Sequence, residues 1–166
     1  MSDLGSLPAG GIGAALGVEL GWSGLQLRLT GTMLFDQRVT VALPAGGLGE
    51  ADLNLAVGSL LACTNVLSAP TVRVAVPLCA GLELGRLAGV ARGVPNAREG
   101  VIPWVAPLAE AGLFWGIPGT GLRVGALISA VVPLNRDEFV LRGIGTVHQP
   151  SSVAGRGSIG VDVFFE

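Results

Sequence analysis

Apolar residues recur at every second position along most of this chain, in stretches separated by glycine- or proline-containing segments. A period of two is typical of a β-strand, because successive side chains of a strand point to opposite faces of its sheet. We therefore predict an all-β protein. The predicted strands are residues 11–22, 25–35, 51–64, 71–85, 104–117, 121–132 and 153–165.

The second face of these strands is made of small residues. In residues 11–22 the apolar face holds Ile12, Leu16 and Leu20, whereas the other face holds glycine, alanine and Glu19. A small, weakly charged face makes a poor aqueous surface, but it suits the lumen of a barrel whose apolar outside meets lipid. The pattern predicts an antiparallel up-and-down transmembrane β-barrel of seven to eight strands. A single domain over residues 1–166, with an N-terminal segment at 1–10, would form it.

The composition agrees with a membrane barrel except in its aromatic content. Half of the 166 residues are hydrophobic and 13% are charged, yet no apolar run reaches the ~18 residues of a transmembrane helix. The chain has no tyrosine and few other aromatic residues, which argues against a barrel because outer-membrane strands usually carry aromatic girdles. A net charge of −2 gives no basic footprint for nucleic acid.

Residues 1–10 lack the basic start and the apolar run of a secretory signal. A barrel of this kind requires export, so we expect the leader to have been removed or to lie outside this chain. The expected location is the bacterial outer membrane, and the expected first partner is the lipid bilayer.

The spacing of the predicted strands indicates their orientation. Short turns fall near residues 23–24, 65–70 and 118–120, and long loops near 36–50, 86–100 and 134–152. In outer-membrane barrels the short turns face the periplasm and the long loops face outside. The predicted strands number seven, so an eighth strand is either missing before the first one or formed by residues 139–147. A missing strand would leave an open edge that favours homo-oligomerisation.

The charged residues on the predicted inner face are the strongest candidates for a functional site. We interpret them as Arg–carboxylate pairs that fill the lumen, because eight strands enclose only enough space for side chains and buried charges require partners. The alternative is a polar conduit or an ion-binding lumen. The predicted network comprises Glu19, Arg28, Asp52, Arg73, Glu83, Glu110, Arg123, Arg156 and Asp162.

Cys63 and Cys79 are the only cysteines, and the predicted turn between them places them on paired strands. Alternation points Cys79 inward, and Cys63 joins it only if a bulge at Gly58-Ser59 shifts the register. A disulfide suits an exported protein. Two separate small apolar thiols are the alternative.

No motif points to catalysis, a metal or a cofactor. Ser151 and Ser152 lie near the sole histidine, His148, but without a GxSxG motif. Glu83 and Glu110 are more simply residues that line the lumen. We therefore predict that the protein is not an enzyme and binds neither metal nor cofactor. The three tryptophans are expected to pack or to anchor at the membrane interface.

Several stretches resemble a group of uncharacterised outer-membrane β-barrel proteins from myxobacteria and related GC-rich bacteria. The matching stretches are residues 3–8, 78–85, 145–148 and 153–156, together with the alternating C-terminus. The resemblance implies a barrel of about eight strands with an additional glycine-rich strand before Asp3. This chain departs from the group because that strand is absent and because Leu61 and Phe114 occupy positions where the group tends to carry an inward Arg.

Three hypotheses for function follow. The first is an integral outer-membrane barrel with a structural or surface-interaction role, whose loops 36–50, 86–100 and 135–152 carry any partner contact. The second is a small pore, formed by one barrel or by an oligomer of incomplete barrels. The third is a soluble lipocalin-like barrel that binds an apolar ligand, which requires the apolar faces to point inward.

Overall fold

The computed structural model is a closed antiparallel β-barrel with an added two-stranded hairpin. It describes residues 1–8, 10–22, 24–42, 48–69, 73–92, 99–135, 138–141 and 145–163. None of these residues forms a helix that is long and apolar enough to cross a membrane. The strands are β1 (Ser2–Leu4), β2 (Gly11–Trp22), β3 (Leu25–Ala42), β4 (Leu48–Ala69), β5 (Val74–Arg92), β6 (Glu99–Gly116), β7 (Leu122–Val131), β8 (Phe139–Leu141), β9 (Gly145–His148) and β10 (Ala154–Val163).

Neighbouring strands of the barrel wall pair in the order β1-β10-β7-β6-β5-β4-β3-β2, and β1 closes the ring by pairing with both β10 and β2. The strand ends at which β2 is followed by β3, β4 by β5 and β6 by β7 lie at one end of the barrel, here called the turn end. The strand ends at which β3 is followed by β4 and β5 by β6, together with the last residue of β7 and the first of β10, lie at the other end, here called the loop end. The predicted all-β, up-and-down barrel is confirmed.

The eighth strand lies where the sequence pattern did not indicate one. Ser2–Leu4 is too short for alternation to be visible, but it pairs with Gly155–Gly157 of β10 and with Gly11 and Ile12 of β2. The expectation that this strand was missing, or was formed by residues 139–147, is therefore wrong. Phe139–Leu141 and Gly145–His148 instead form a separate hairpin outside the barrel sheet.

Two predicted loops are largely strand. β3 and β4 continue pairing to Ala42 and Leu48, and β5 and β6 to Val90 and Glu99. In β3 a bulge between Leu34 and Gln37 explains the difference, because an extra residue reverses which positions face inward. Leu34 is fully buried before the bulge, and Val39 packs against the same core after it. The loss of alternation at Phe35 therefore marks a bulge, and the strand continues through it.

The strand β4 faces the opposite way from the prediction. Its odd-numbered residues point inward, so Leu53, Leu55 and Val57 are buried in the core while Asp52 and Asn54 lie on the outer surface. The interior near the loop end is therefore apolar as well as charged, and the expectation of a uniformly small or polar lumen is wrong there. The largest buried apolar side chains are Trp104, Leu34, Leu53, Leu55, Leu61 and Leu87.

Candidate functional site

The first group of charged residues inside the barrel is called here the loop-side cluster, and it comprises Asp3, Ser6, Ser59, Glu83, Trp104 and Arg156. Glu83 is fully buried and accepts hydrogen bonds from the indole Nε1 of Trp104 at 2.6 Å and from Arg156 Nη2 at 3.0 Å. A second Arg156–Glu83 contact and the hydroxyl of Ser59 complete its partners. A buried carboxylate is stable only when its oxygens are hydrogen-bonded in this way.

Arg156 also connects this cluster to β1. Its Nε donates to Asp3 Oδ2 at 2.7 Å, and its Nη2 lies 3.4 Å from the hydroxyl oxygen of Ser6. Asp3 in turn accepts from the backbone N–H of Ser6 at 3.1 Å and from its hydroxyl at 2.8 Å. Since a side chain that bonds the backbone a few residues ahead stabilises a turn, Asp3 both forms the turn after β1 and pairs Arg156.

The second group is called here the turn-side cluster, and it comprises Glu19, Arg28, Glu110, Phe114, Arg123, Ser129 and Asp162. Arg28 donates through Nε and Nη2 to Glu19 at 2.9 and 2.7 Å, and through Nη1 to Glu110 at 2.6 Å. Ser129 donates to the second oxygen of Glu110 at 3.0 Å. Arg28 therefore connects β2, β3 and β6 across the lumen.

Arg123 forms the looser half of the turn-side cluster. Its Nη2 lies 3.9 Å from Glu19 and 3.7 Å from Asp162. The guanidinium groups of Arg28 and Arg123 lie 5.9 and 5.6 Å from the ring centre of Phe114, within the range of cation–π attraction. Gly125 makes this possible, because a Cβ at that position would collide with the Phe114 ring.

Of the nine residues of the predicted lumen network, the structure places seven inside the barrel, in the two clusters described above, and places Asp52 and Arg73 elsewhere. Asp52 lies on the outer surface of β4, where it pairs with Arg38 at 3.2 Å and with Arg92. The hydrogen bond from Arg38 to Asp52 and the negative charge of Asp52 raise the pKa of Arg38 above its ordinary value. The prediction placed Asp52 inward because it took the even-numbered residues of β4 as the inner face, whereas the odd-numbered residues, such as Leu53 and Leu55, face inward. Arg73 lies exposed in the β4–β5 connection with a φ of 54°.

Cys63 and Cys79 face each other across β4 and β5 and form a disulfide inside the barrel. Both are buried. The ladder is regular at Gly58 and Ser59 and shifts only between Asn65 and Leu67. Cys63 therefore points inward because all odd positions of this part of β4 do so, and the predicted bulge is not the cause.

Sequence reasoning missed Asp3, Ser6 and Trp104 as members of the loop-side cluster. The Asp-x-x-Ser spacing of Asp3 and Ser6 is a turn signal, but their contact with Arg156 spans almost the whole chain. Trp104 was expected to pack or to anchor at an interface. Trp104 packs inside the barrel, where it is 2% exposed, and its indole N–H donates to the carboxylate of Glu83.

His148 Nε2 lies 3.0 Å from the carbonyl oxygen of Ser6, and the backbone N–H of Ser151 donates to Gly5. Burial lowers the pKa of His148. Within the described ranges, no group of three or more His, Cys, Asp or Glu residues is placed to hold a metal ion.

In comparisons with known proteins, no protein-family model, no curated protein and no solved structure matches the chain.

Proposed function

We propose that this protein is an integral outer-membrane β-barrel with a structural or surface-interaction role. The observation that carries the proposal is the reversal of the usual arrangement: large aliphatic side chains lie exposed while charged ones lie buried. Leu16 is 85% exposed and Ile159 is 87% exposed, whereas Glu83 and Asp3 are 0% and 1% exposed. Apolar surface on this scale is unfavourable in water and favourable in lipid.

The exposed apolar surface forms a continuous band on the outer wall. Within the described part of the chain, no charged side chain points outward from residues 14–22, 25–33, 56–64, 78–84, 101–115, 122–131 or 155–163. Residues 14–22 extend about 30 Å along the strand, which a tilt of about 40° reduces to a height of about 23 Å. Outer-membrane barrels carry an apolar band of about 25 Å.

Outward charges begin only toward the loop end. Asp36 accepts a hydrogen bond from Asn54 at 2.9 Å, and Arg38 pairs with Asp52 and Glu50 on the same surface. This charged rim extends the wall beyond the band, as expected for strands that continue into an aqueous compartment. We propose that the rim and the segments between β3 and β4 and between β5 and β6 carry any contact with a surface partner.

The interior supports a filled barrel in preference to a pore. The loop-side and turn-side clusters each connect opposite parts of the wall, and the buried Leu34, Leu55 and Leu61 also occupy the interior. Planar-bilayer recording should therefore detect no steady conductance from the folded protein. Reproducible single-channel steps would support the pore hypothesis instead. The packed interior gives no support to an apolar-ligand site of the lipocalin kind.

The disulfide adds independent support for export, because disulfides persist in the periplasm and at cell surfaces and are rare in the cytosol. Membership of the myxobacterial barrel group stays a prediction.

Electrophoresis without boiling tests the proposal. A folded membrane barrel in detergent should migrate faster than its boiled form, and the band should shift on heating. A chain that stays monodisperse in buffer without detergent would contradict the membrane location and favour the soluble barrel.

A further inference from the structure

The outer wall carries a groove that crosses the four neighbouring strands β2, β3, β4 and β5. Small residues form its floor, and large exposed apolar side chains surround it. The floor residues are Gly31, Ala56 and Gly58, and the surrounding residues are Leu16, Met33 and Leu84. The open space above the floor is about 720 Å³, which is within the range of small-ligand sites in proteins. We call this feature the wall groove.

Packing within the wall does not require the two glycines of the floor. Gly31 and Gly58 pair across the β3–β4 ladder, and a Cβ at either position would meet only one carbonyl oxygen of a neighbouring strand, at 3.9 and 4.0 Å. The inward glycines of β5 differ, because a Cβ at Gly81 or Gly85 would collide with the backbone of β4. Glycine inside a strand weakens it and often marks the close approach of a ligand or another backbone. The floor glycines therefore favour an occupant outside the wall.

Arg86 gives the wall groove a positive charge at one side. It pairs with Ala56 across the β4–β5 ladder, and its exposed side chain lines the groove. Within the described residues the side chain of Arg86 forms no ion pair or hydrogen bond, whereas the outward Arg38 and Arg92 both pair with Asp52. An arginine that lacks a carboxylate and lies beside an apolar groove fits a ligand with an apolar part and an anionic group.

The position of Arg86 along the wall matches the depth of lipid headgroups. On β5 it is the next outward residue after Leu84, the last apolar position of the band, in the direction of the loop end. The polar headgroups begin at the edge of the hydrocarbon layer. A long basic side chain at that edge keeps its stem on apolar surface and its guanidinium group among the headgroups.

We propose that the wall groove binds one anionic phospholipid of the leaflet at the loop end. An acyl chain lies over Gly31 and Gly58, and the phosphate accepts hydrogen bonds from the guanidinium group of Arg86, whose planar fork matches phosphate oxygens. This inference rests on the proposed membrane location, because the groove meets an acyl chain only if the outer wall faces a bilayer.

Native mass spectrometry of the folded barrel, released from detergent micelles that contain increasing amounts of phosphatidylglycerol, tests the site. We expect saturable retention of one phosphatidylglycerol per barrel. Phosphatidylcholine with the same acyl chains should be retained more weakly, because its choline cation opposes the arginine. Inorganic phosphate should not displace the bound lipid, because it has no chain to occupy the groove.

Two pairs of variants separate the charge from the shape of the groove. Arg86→Gln should weaken the binding of phosphatidylglycerol about tenfold, whereas Arg92→Gln, on the charged rim, should leave it unchanged. Gly58→Leu fills the floor and should also weaken binding. Gly155→Leu makes the same replacement on the outer face of β10, where a Cβ meets nothing within 4 Å, and should leave binding unchanged.

Unchanged binding of phosphatidylglycerol by Arg86→Gln or by Gly58→Leu would overturn the proposal, and so would displacement of the lipid by inorganic phosphate. A barrel that is dimeric by mass and retains no lipid would also overturn it, because a second copy would then cover the groove. The heat-modifiable band is measured on each sample and shows whether the variant is folded. If the wild-type band shifts on heating but no phosphatidylglycerol is retained, the groove proposal fails while the membrane proposal stands.

Discussion

Arg156 donates from Nε to Asp3 Oδ2 at 2.7 Å, across the ladder that joins the last barrel strand to the first. The two side chains are 153 positions apart in the chain. Only three residue pairs connect β1 to β10, so a buried ion pair supplements a short ladder at the point where the barrel closes. The same guanidinium also pairs Glu83, which makes Arg156 the central residue of the loop-side cluster.

Arg156→Met should strongly destabilise the barrel. The substitution keeps most of the side-chain volume but leaves Asp3 and Glu83 buried without their cation, and loss of one partner of a buried pair costs about 3–5 kcal/mol. The free energy of unfolding, measured by urea titration of the protein in lipid vesicles, should fall by that amount.

Arg38→Met is the matched control, since Arg38 forms its ion pairs on the exposed rim. It should leave the free energy of unfolding nearly unchanged. If both variants behave alike, the loop-side cluster does not hold the barrel closed.

Removal of the disulfide should destabilise the barrel to a smaller degree. Cys63 and Cys79 are 16 residues apart, and a crosslink over a loop of about that length contributes about 3 kcal/mol. A double Cys63→Ala, Cys79→Ala variant should lose about this much in the same urea titration.

The burial of the disulfide predicts its reactivity. Because both sulfur atoms lie inside the wall, brief exposure of the folded barrel to reductant and maleimide should label neither cysteine. Labelling should require denaturant. Rapid labelling of the folded protein would show that the pair is accessible from the lumen or from solvent.

Acidification should reduce the contribution of His148 to the stability of the folded protein. Burial lowers the pKa of His148 from its ordinary value of 6.5, so below that pH the unfolded chain binds more protons than the folded one. The contribution of His148 is therefore fully present above pH 6.5 and is lost as the pH falls through the lower pKa of the folded state.

His148→Asn isolates this effect from the titration of carboxylates. The free energy of unfolding should fall more steeply between pH 7.5 and pH 5.5 in the wild-type protein than in the variant. Parallel slopes would show that His148 is equally easy to protonate in both states.

The strands that could be predicted from the sequence are those whose alternation is uninterrupted. Residues 11–22 match β2 completely, and residues 121–132 match β7 to within one residue at each end. The extensions of β3 and β4 could not be predicted in the same way. There the bulge after Leu34 reverses the inward positions, and the outward residues become charged because the wall rises above the apolar band.

The interior could be predicted wherever charge and small residues share a face. Glu19, Arg28, Glu110, Arg123 and Asp162 follow that pattern and meet in the turn-side cluster. The loop-side cluster was harder to predict. Its closure depends on Asp3, in a strand of three residues whose pairing is set by tertiary contacts and not by periodicity.

Replacement of an outward leucine of the apolar band by arginine tests the membrane location most directly. Leu60 lies on the outer face of β4 within the band, and Leu48 lies on the same face of the same strand at the loop end; both are exposed. For folding into lipid vesicles, Leu60→Arg should cost about 2–4 kcal/mol and Leu48→Arg at most about 1 kcal/mol. Equal, negligible costs for the two variants would contradict the account, because an outer wall in contact with water accepts an arginine at either position.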